Sequence, residues 1–284
     1  MDALLDCHVE EELTYGLTDR YVTGMKELAD TYGSAHMVRI GASEYGEDIY
    51  ALDLNPSGEI KGQVFVVAGH HSTEPAGPEA AMAFARRYME SDTALARQLK
   101  ENVRVTVIPV VNVDMYALPL ENRPYDTLNS GYNGKRGKWM EERAVISCVE
   151  ERTVDVPYRL AFDLHETDTE IFHGFGVIQF EPGDDGAVII KPEKDYGRAA
   201  VERIEREGYR LIHSDKDMGN DGLLPEEKAT PMCFDGYSAA KGAYAYTFET
   251  PSSHNTIRER VEMDLIGMDE LFVRVFSELD ASGQ

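Results

Sequence analysis

The sequence predicts an α/β fold: a central mixed, mostly parallel β-sheet of about eight strands flanked by helices on both faces. Three observations predict it. Short β-rich runs alternate with helix-length segments along the 284 residues. Several of those runs are apolar on both faces, as strands covered on both sides must be. No repeat of roughly 20–50 residues interrupts the pattern, which sets aside solenoids and propellers. The length suits a single catalytic-size domain spanning residues 1–284.

The first element is a helix over residues 18–32, where Tyr21, Met25, Leu28 and Tyr32 fall at helical spacing and Gly33 ends the run. Strands are predicted at residues 36–40, 48–54 and 63–68. Residues 78–89 open with a proline at a first-turn position and carry alanines early, so they read as a helix. A near-continuous apolar strand covers 104–111, interrupted only by Thr106 and Pro109. Further strands fit 159–164, 175–180, 209–213 and 244–248, with helices at 195–207 and 257–279. Residues 118–138, rich in Asn, Gly, Pro and basic side chains, form a long irregular insertion of the kind that carries function. A second polar stretch, 214–240, reads as a lid or rim.

Composition narrows the function. Apolar residues make up 42% and charged residues 28%, which is ordinary globular composition. The 28 basic and 52 acidic residues give a formal charge of −24, a field that repels phosphate backbones and anionic membrane surfaces, so neither nucleic acid nor membrane is expected as a partner. No run of roughly 18 apolar residues is present to cross a bilayer. Residues 1–12 are acidic and lack the basic and apolar regions of a secretory signal. Cys7, Cys148 and Cys233 show no CxxC spacing and read as reduced thiols, so a cytoplasmic location is expected. Nothing in the sequence fixes the oligomeric state.

The strongest local feature is GHHSTEP, residues 69–75, directly after the apolar run VFVVA. His71 and Glu74 stand three apart, so a tight turn can aim an imidazole and a carboxylate at one cation, both groups being ligands that zinc accepts. His70 lacks that spacing and reads as a neighbour. His165 closes a second apolar run, RLAFDLHE, and supplies a third ligand at the same sheet edge. Two imidazoles, one carboxylate and an open position form a catalytic rather than structural zinc site. Asp163 and Asp114 are available to accept a hydrogen bond from a ligand histidine. Glu249, after the run YAYTF, is the candidate general base. Asn122, Arg123 and Arg136 in the long insertion are the candidate groups for an oxyanion or a substrate carboxylate. Lys138 reads as solvated, and His173 and His254 as rim residues.

Together these segments resemble the zinc carboxypeptidases, the carboxypeptidase A-type metallopeptidases, and are similar to their succinylglutamate desuccinylase and aspartoacylase relatives. IGASEYG, residues 40–46, resembles the family's opening G-x-S-x-x-G; GHHSTEP its H-x-x-E; Asn112-Val113-Asp114 its N-P-D-G, with Val and Met in place of Pro and Gly; FDLHET and TFETP its third-ligand and base segments. The resemblance implies one zinc ion on His71, Glu74 and His165, with Asp114 behind a ligand histidine and Glu249 as the base. It fits Asn122-Arg123 best to the family's Asn-Arg pair, with Arg136 for the remaining cationic role. The family's mobile tyrosine has no clear counterpart, although Tyr237 and Tyr244 are available. The implied activity is hydrolysis of an amide bond, foremost release of a C-terminal residue from a peptide. The D-L-H form leaves open a deacylase acting on small N-acyl amino acids, and a non-catalytic binding domain on the same scaffold is the third reading.

Overall fold

The structure, a computed structural model, describes residues 3–10, 13, 14, 16–123, 128–132, 137–167, 174–189, 195–212, 222, 223, 233–253 and 255–282. In chain order it contains α1 (Thr18–Thr31), β1 (Ala35–Ala42), β2 (Asp48–Leu54), β3 (Gly62–Ala68), α2 (Ala76–Glu90), α3 (Ala94–Asn102), β4 (Val103–Ile108) and the single turn α4 (Val113–Tyr116). These are followed by α5 (Met140–Thr153), β5 (Tyr158–Thr167), β6 (Gly176–Pro182), β7 (Val188–Ile189), α6 (Tyr196–Arg206), α7 (Phe234–Ala240), β8 (Tyr244–Pro251) and α8 (Ile257–Ser282).

Eight strands form one sheet in the order β1-β2-β4-β3-β5-β8-β6-β7. The central four, β4-β3-β5-β8, run parallel. The outer pairings, β1/β2, β2/β4, β6/β8 and β6/β7, are antiparallel. The sheet is therefore mixed rather than mostly parallel. The cause at one edge is local: β1 and β2 are joined by a short turn in which Ser43 N–H and Glu47 C=O pair at 2.8 Å, and so short a link reverses the chain.

Every residue of β3 is buried, and the sheet separates two apolar layers. On one face α1, α2, α6 and α8 pack on Val64, Val66, Leu160, Phe162 and Phe248. On the other, α5 and α7 cover Phe65, Val67, Ala161 and Ala245. Burying each such Val, Leu or Phe contributes about 1.5–3 kcal/mol, which explains why β3 and β5, with layers on both sides, read as unbroken apolar runs.

The elements depart from expectation where tertiary packing overrides pattern. β4 stops at Ile108, because Pro109 has no N–H to donate to a ladder. β5 continues to Thr167, so His165 lies within the strand rather than at its end. Among the described residues of the run expected at 209–213, Leu211 makes an isolated bridge to Phe175 in place of a strand. Helices α3, α5 and α7 are not evident from periodicity. In α5, Glu141, Glu142 and Arg152 are buried beside Val145 and Val149, which hides the apolar stripe. Residues 234–240, expected within a lid or rim, form α7 and pack beneath the sheet.

Candidate metal centre

The site lies beyond the carboxyl ends of β3, β5 and β8, the edge at which open α/β sheets collect ligands. Its first wall is the turn after β3. Gly69 adopts φ +66°, and a Cβ there would come within 3.0 Å of Pro109 O and Val110 Cα, so only glycine lets the chain turn this tightly against β4. Tyr116 holds the turn from behind: its buried hydroxyl reaches the carbonyls of Glu74 at 2.7 Å and His71 at 3.1 Å. Ala76 N–H, at the start of α2, donates to Glu166 Oε1, and Arg260 from α8 pairs with the other Glu166 oxygen. Glu166 thus ties the His71–Glu74 turn to the strand that carries His165.

His71, Glu74 and His165 bring one ligand atom each within 4.8 Å of one another. His165 Nδ1 lies 2.7 Å from Glu74 Oε2, and the rings of His71 and His165 have centroids 4.9 Å apart. These three border a cavity of about 190 Å³, shared with Asn129, Asp235 and Glu249. A second group, His70, Asp163 and His165, is equally close-set, but all three are buried behind the first. Two imidazoles and a carboxylate converging at a cavity wall, with open space on the fourth side, fit a catalytic zinc ion.

Glu249 reaches the cavity through strand register. On adjacent parallel strands His165 pairs with Glu249, and Asp163 with Thr247. Paired residues share a face, so the carboxylate stands beside the imidazole. Burial pushes Glu249 up to about 8; His165 opposes the shift while Glu74 and Asp163 add to it. Burial alone would lower His165, but the Asp163 and Glu74 carboxylates hold it well above the usual imidazole range. Asp163 goes the other way: burial would raise it, yet His165 and His70 keep it well below the usual carboxylate range.

The remaining sequence candidates are spread more widely. Asp114 accepts from Ser43 Oγ at 2.6 Å, which joins the G-x-S-x-x-G segment to the Asn-Val-Asp segment. The carboxylate seen beside His165 is Asp163, with Oδ1 at 3.1 Å from Nε2. Arg123 is 7% exposed, and its guanidinium donates to Leu118 O at 2.8 Å, Ser72 O at 3.1 Å and Gly16 O at 3.2 Å while lying over the Tyr116 ring. As placed, it braces the ligand turn instead of reaching into the cavity, because three carbonyls and a ring face already satisfy it. Asn122 is exposed one residue earlier. Arg136, His173 and His254 lie outside the described residues. Tyr237 is buried, packed against Tyr132, and Tyr244 belongs to β8.

Asn129, Asp235 and Thr247 join the site without having been singled out in the sequence. Asn129 has φ +90°, donates through Nδ2 to Asp163 Oδ2 at 2.8 Å, and accepts from Phe234 N at 2.9 Å. Its loop is held by Glu142, whose carboxylate accepts from the backbone N–H groups of Asn129, Gly131, Lys138 and Trp139. An Asn before Ser-Gly in an irregular stretch was the available signal, since Asn tolerates positive φ. Asp235, at the cavity wall on α7, accepts from Thr247 Oγ1 at 2.7 Å.

Known proteins agree with this architecture. The sequence model of the zinc carboxypeptidase family matches residues 21–150, which include the His71–Glu74 turn and the Asn-Val-Asp segment. Bovine thrombin-activatable fibrinolysis inhibitor, solved with tick carboxypeptidase inhibitor, superposes with a TM-score of 0.66 at 15% identity, covering 93% of this chain and 98% of that one. A second structure of thrombin-activatable fibrinolysis inhibitor gives 0.68 at 16% identity over 93% and 75%. A metallo-carboxypeptidase from Burkholderia cenocepacia gives 0.64 at 15% identity over 91% and 69%. No curated protein sequence matches the chain. The chain thus shares the fold of these carboxypeptidases, and the segment that matches the family's sequence model carries two of the three candidate metal ligands, His71 and Glu74. Among the described residues, no helix is long and apolar enough to cross a membrane.

Proposed function

We propose that the chain is a metallocarboxypeptidase that releases a C-terminal residue from a peptide, with His71, Glu74 and His165 holding one zinc ion and Glu249 as general base. The observation that carries this reading is the register pairing of His165 with Glu249 at the wall of the cavity shared with His71 and Glu74. Bound there, zinc supplies Lewis-acid polarisation of a carbonyl and makes a water acidic near neutral pH. Glu249 takes a proton from the attacking water and returns it to the departing amine, so one carboxyl serves both half-steps. Its partly buried position excludes bulk water and favours retention of that proton. The substrate carboxylate is assigned to the insertion bearing Asn122 and Arg136; Arg123 engages it only by giving up its carbonyl partners. Residence in a reducing cytoplasm belongs to the same proposal and accords with three free thiols.

The small cavity favours a second reading, deacylation of small N-acyl amino acids, since about 190 Å³ accommodates a single side chain or acyl group. The deciding experiment combines elemental analysis of the purified protein with a zinc-supplemented panel of blocked dipeptides and N-acyl amino acids. Release of the C-terminal residue from dipeptides supports the first reading. Turnover of the acyl amino acids alone replaces it with the second.

A further inference from the structure

His70 is fully buried, and the metal ligation proposed above gives it no task. Its contacts are nonetheless directional. Nδ1 lies 2.8 Å from Asp163 Oδ1 and Nε2 lies 2.8 Å from the Tyr132 hydroxyl. The ring stacks on His165 with an interplanar angle of 5° and centroids 5.7 Å apart. Asp163 Oδ1 is shared, because it also lies 3.1 Å from His165 Nε2, while Oδ2 accepts from Asn129.

One assignment of hydrogens satisfies the links from Tyr132 through His70 to Asp163; at the far end His165 Nε2 also lies 2.9 Å from Asn129 Nδ2, whose amide donates to the other oxygen of the same carboxylate. The Tyr132 hydroxyl donates to His70 Nε2, His70 Nδ1–H donates to Asp163, and His165 Nε2–H donates to the same carboxylate. His165 Nδ1–H then donates to Glu74 at 2.7 Å at the cavity wall, and this is the proton a metal ion would displace. The alternative tautomer of His70 would turn a lone pair on Asp163, which is unfavourable for two acceptors in a water-free site. A histidine ligand is held in its tautomer by the group bonded to its other nitrogen. Here that group is itself held by a second histidine and a tyrosine.

We propose that His70 and Tyr132 are positioning residues for the metal: they orient Asp163, and through it fix His165 with Nδ1 toward the ion. This rests on the ligand set proposed above. The two fail differently: wild-type protein that binds no zinc defeats the ligand set, whereas indifference of a zinc-binding protein to His70 defeats only the positioning role.

The test measures zinc affinity by competition with a chromogenic chelator and the visible absorption of the cobalt-substituted protein, with metal-free thermal unfolding as the fold control. His70→Leu removes the donor to Asp163 and is expected to weaken zinc binding by roughly 10- to 100-fold and alter the cobalt spectrum. His70→Asn places an N–H near the position of Nδ1 and is expected to restore most of the affinity. Tyr132→Phe keeps the ring and is expected to lose affinity by a smaller factor in the same direction. Wild-type affinity and an unchanged cobalt spectrum in His70→Leu would overturn the proposal. If that variant does not fold, the conservative pair decides: weaker binding by His70→Asn than by Tyr132→Phe overturns it. Zinc retained in His71→Ala but lost in His70→Leu would place the ion in the buried group and overturn it as well.

Discussion

Glu249 stands directly opposite His165 on the neighbouring parallel strand, so one register sets the distance between proposed base and proposed ligand. Glu249→Gln preserves shape and removes the proton acceptor. It is expected to keep zinc and lose about 10²- to 10⁴-fold in kcat, the usual contribution of a positioned general base. His165→Ala is expected to lose metal and turnover together. Metal content and kcat on the same preparations separate the two effects, and near-normal kcat in the glutamine variant would remove Glu249 from the chemistry.

Gly69→Ala should disturb the metal turn without touching a ligand. The position needs φ +66°, and the added methyl meets backbone atoms of residues 109 and 110 at 3.0 Å, which cannot swing aside as a side-chain tip would. Left-handed backbone at a non-glycine residue costs on the order of 1–3 kcal/mol before the clash is counted. Urea unfolding of the metal-free protein gives the loss, and zinc competition shows whether the turn still closes.

Much of this site is legible in the sequence because its chemistry sits in contiguous segments. His71 and Glu74 share one turn, and His165 and Glu249 each follow an apolar run; spacing and strand pattern suffice to single out each. Asn129 and Asp235 are not legible in that way. Their importance arises from long-range contacts: Asn129 with Asp163 and with Phe234 N, Asp235 with Thr247. Helix α5 is hidden for a related reason, since Glu142 is buried to collect four loop N–H groups, a role that looks polar and exposed in one dimension. Of the antiparallel flanks, the β2/β4 and β6/β8 pairings likewise join strands that are not neighbours in sequence.

Arg123 provides a test between two tasks. A residue that grips a substrate carboxylate should, when replaced, raise KM for acidic termini and leave stability nearly intact. The three carbonyls and the Tyr116 ring predict the reverse. Arg123→Met is expected to lower stability by about 1–3 kcal/mol, since carbonyls of Ser72 and Gly16 lose a charged donor in a buried setting. It should also weaken zinc binding through the slackened turn. A stable variant with normal metal content and a KM raised tenfold or more would instead place Arg123 on the substrate.

Asp235 sets a pH dependence for the metal-free protein. Burial pushes its carboxyl from 3.8 up to about 6, Asp163 adds to the rise, and the bonds from Thr247 and Gly236, with the influence of His165, offset part of it. A carboxyl whose folded pKa exceeds its unfolded value binds its proton more tightly when folded. Its favourable contribution is therefore complete below about 3.8 and is lost as pH rises through about 6. Asp235→Asn keeps an acceptor for Gly236 and a donor for Thr247 but cannot ionise. Relative to wild type, the variant should gain on the order of 3 kcal/mol in unfolding free energy between about pH 4 and pH 8, because a tenfold difference in proton affinity between folded and open chain corresponds to about 1.4 kcal/mol. Urea titrations of both metal-free proteins across that range measure the difference directly. A gap that stays flat with pH would mean that Asp235 ionises as freely in the fold as in the open chain, and that the cavity wall it occupies is wet.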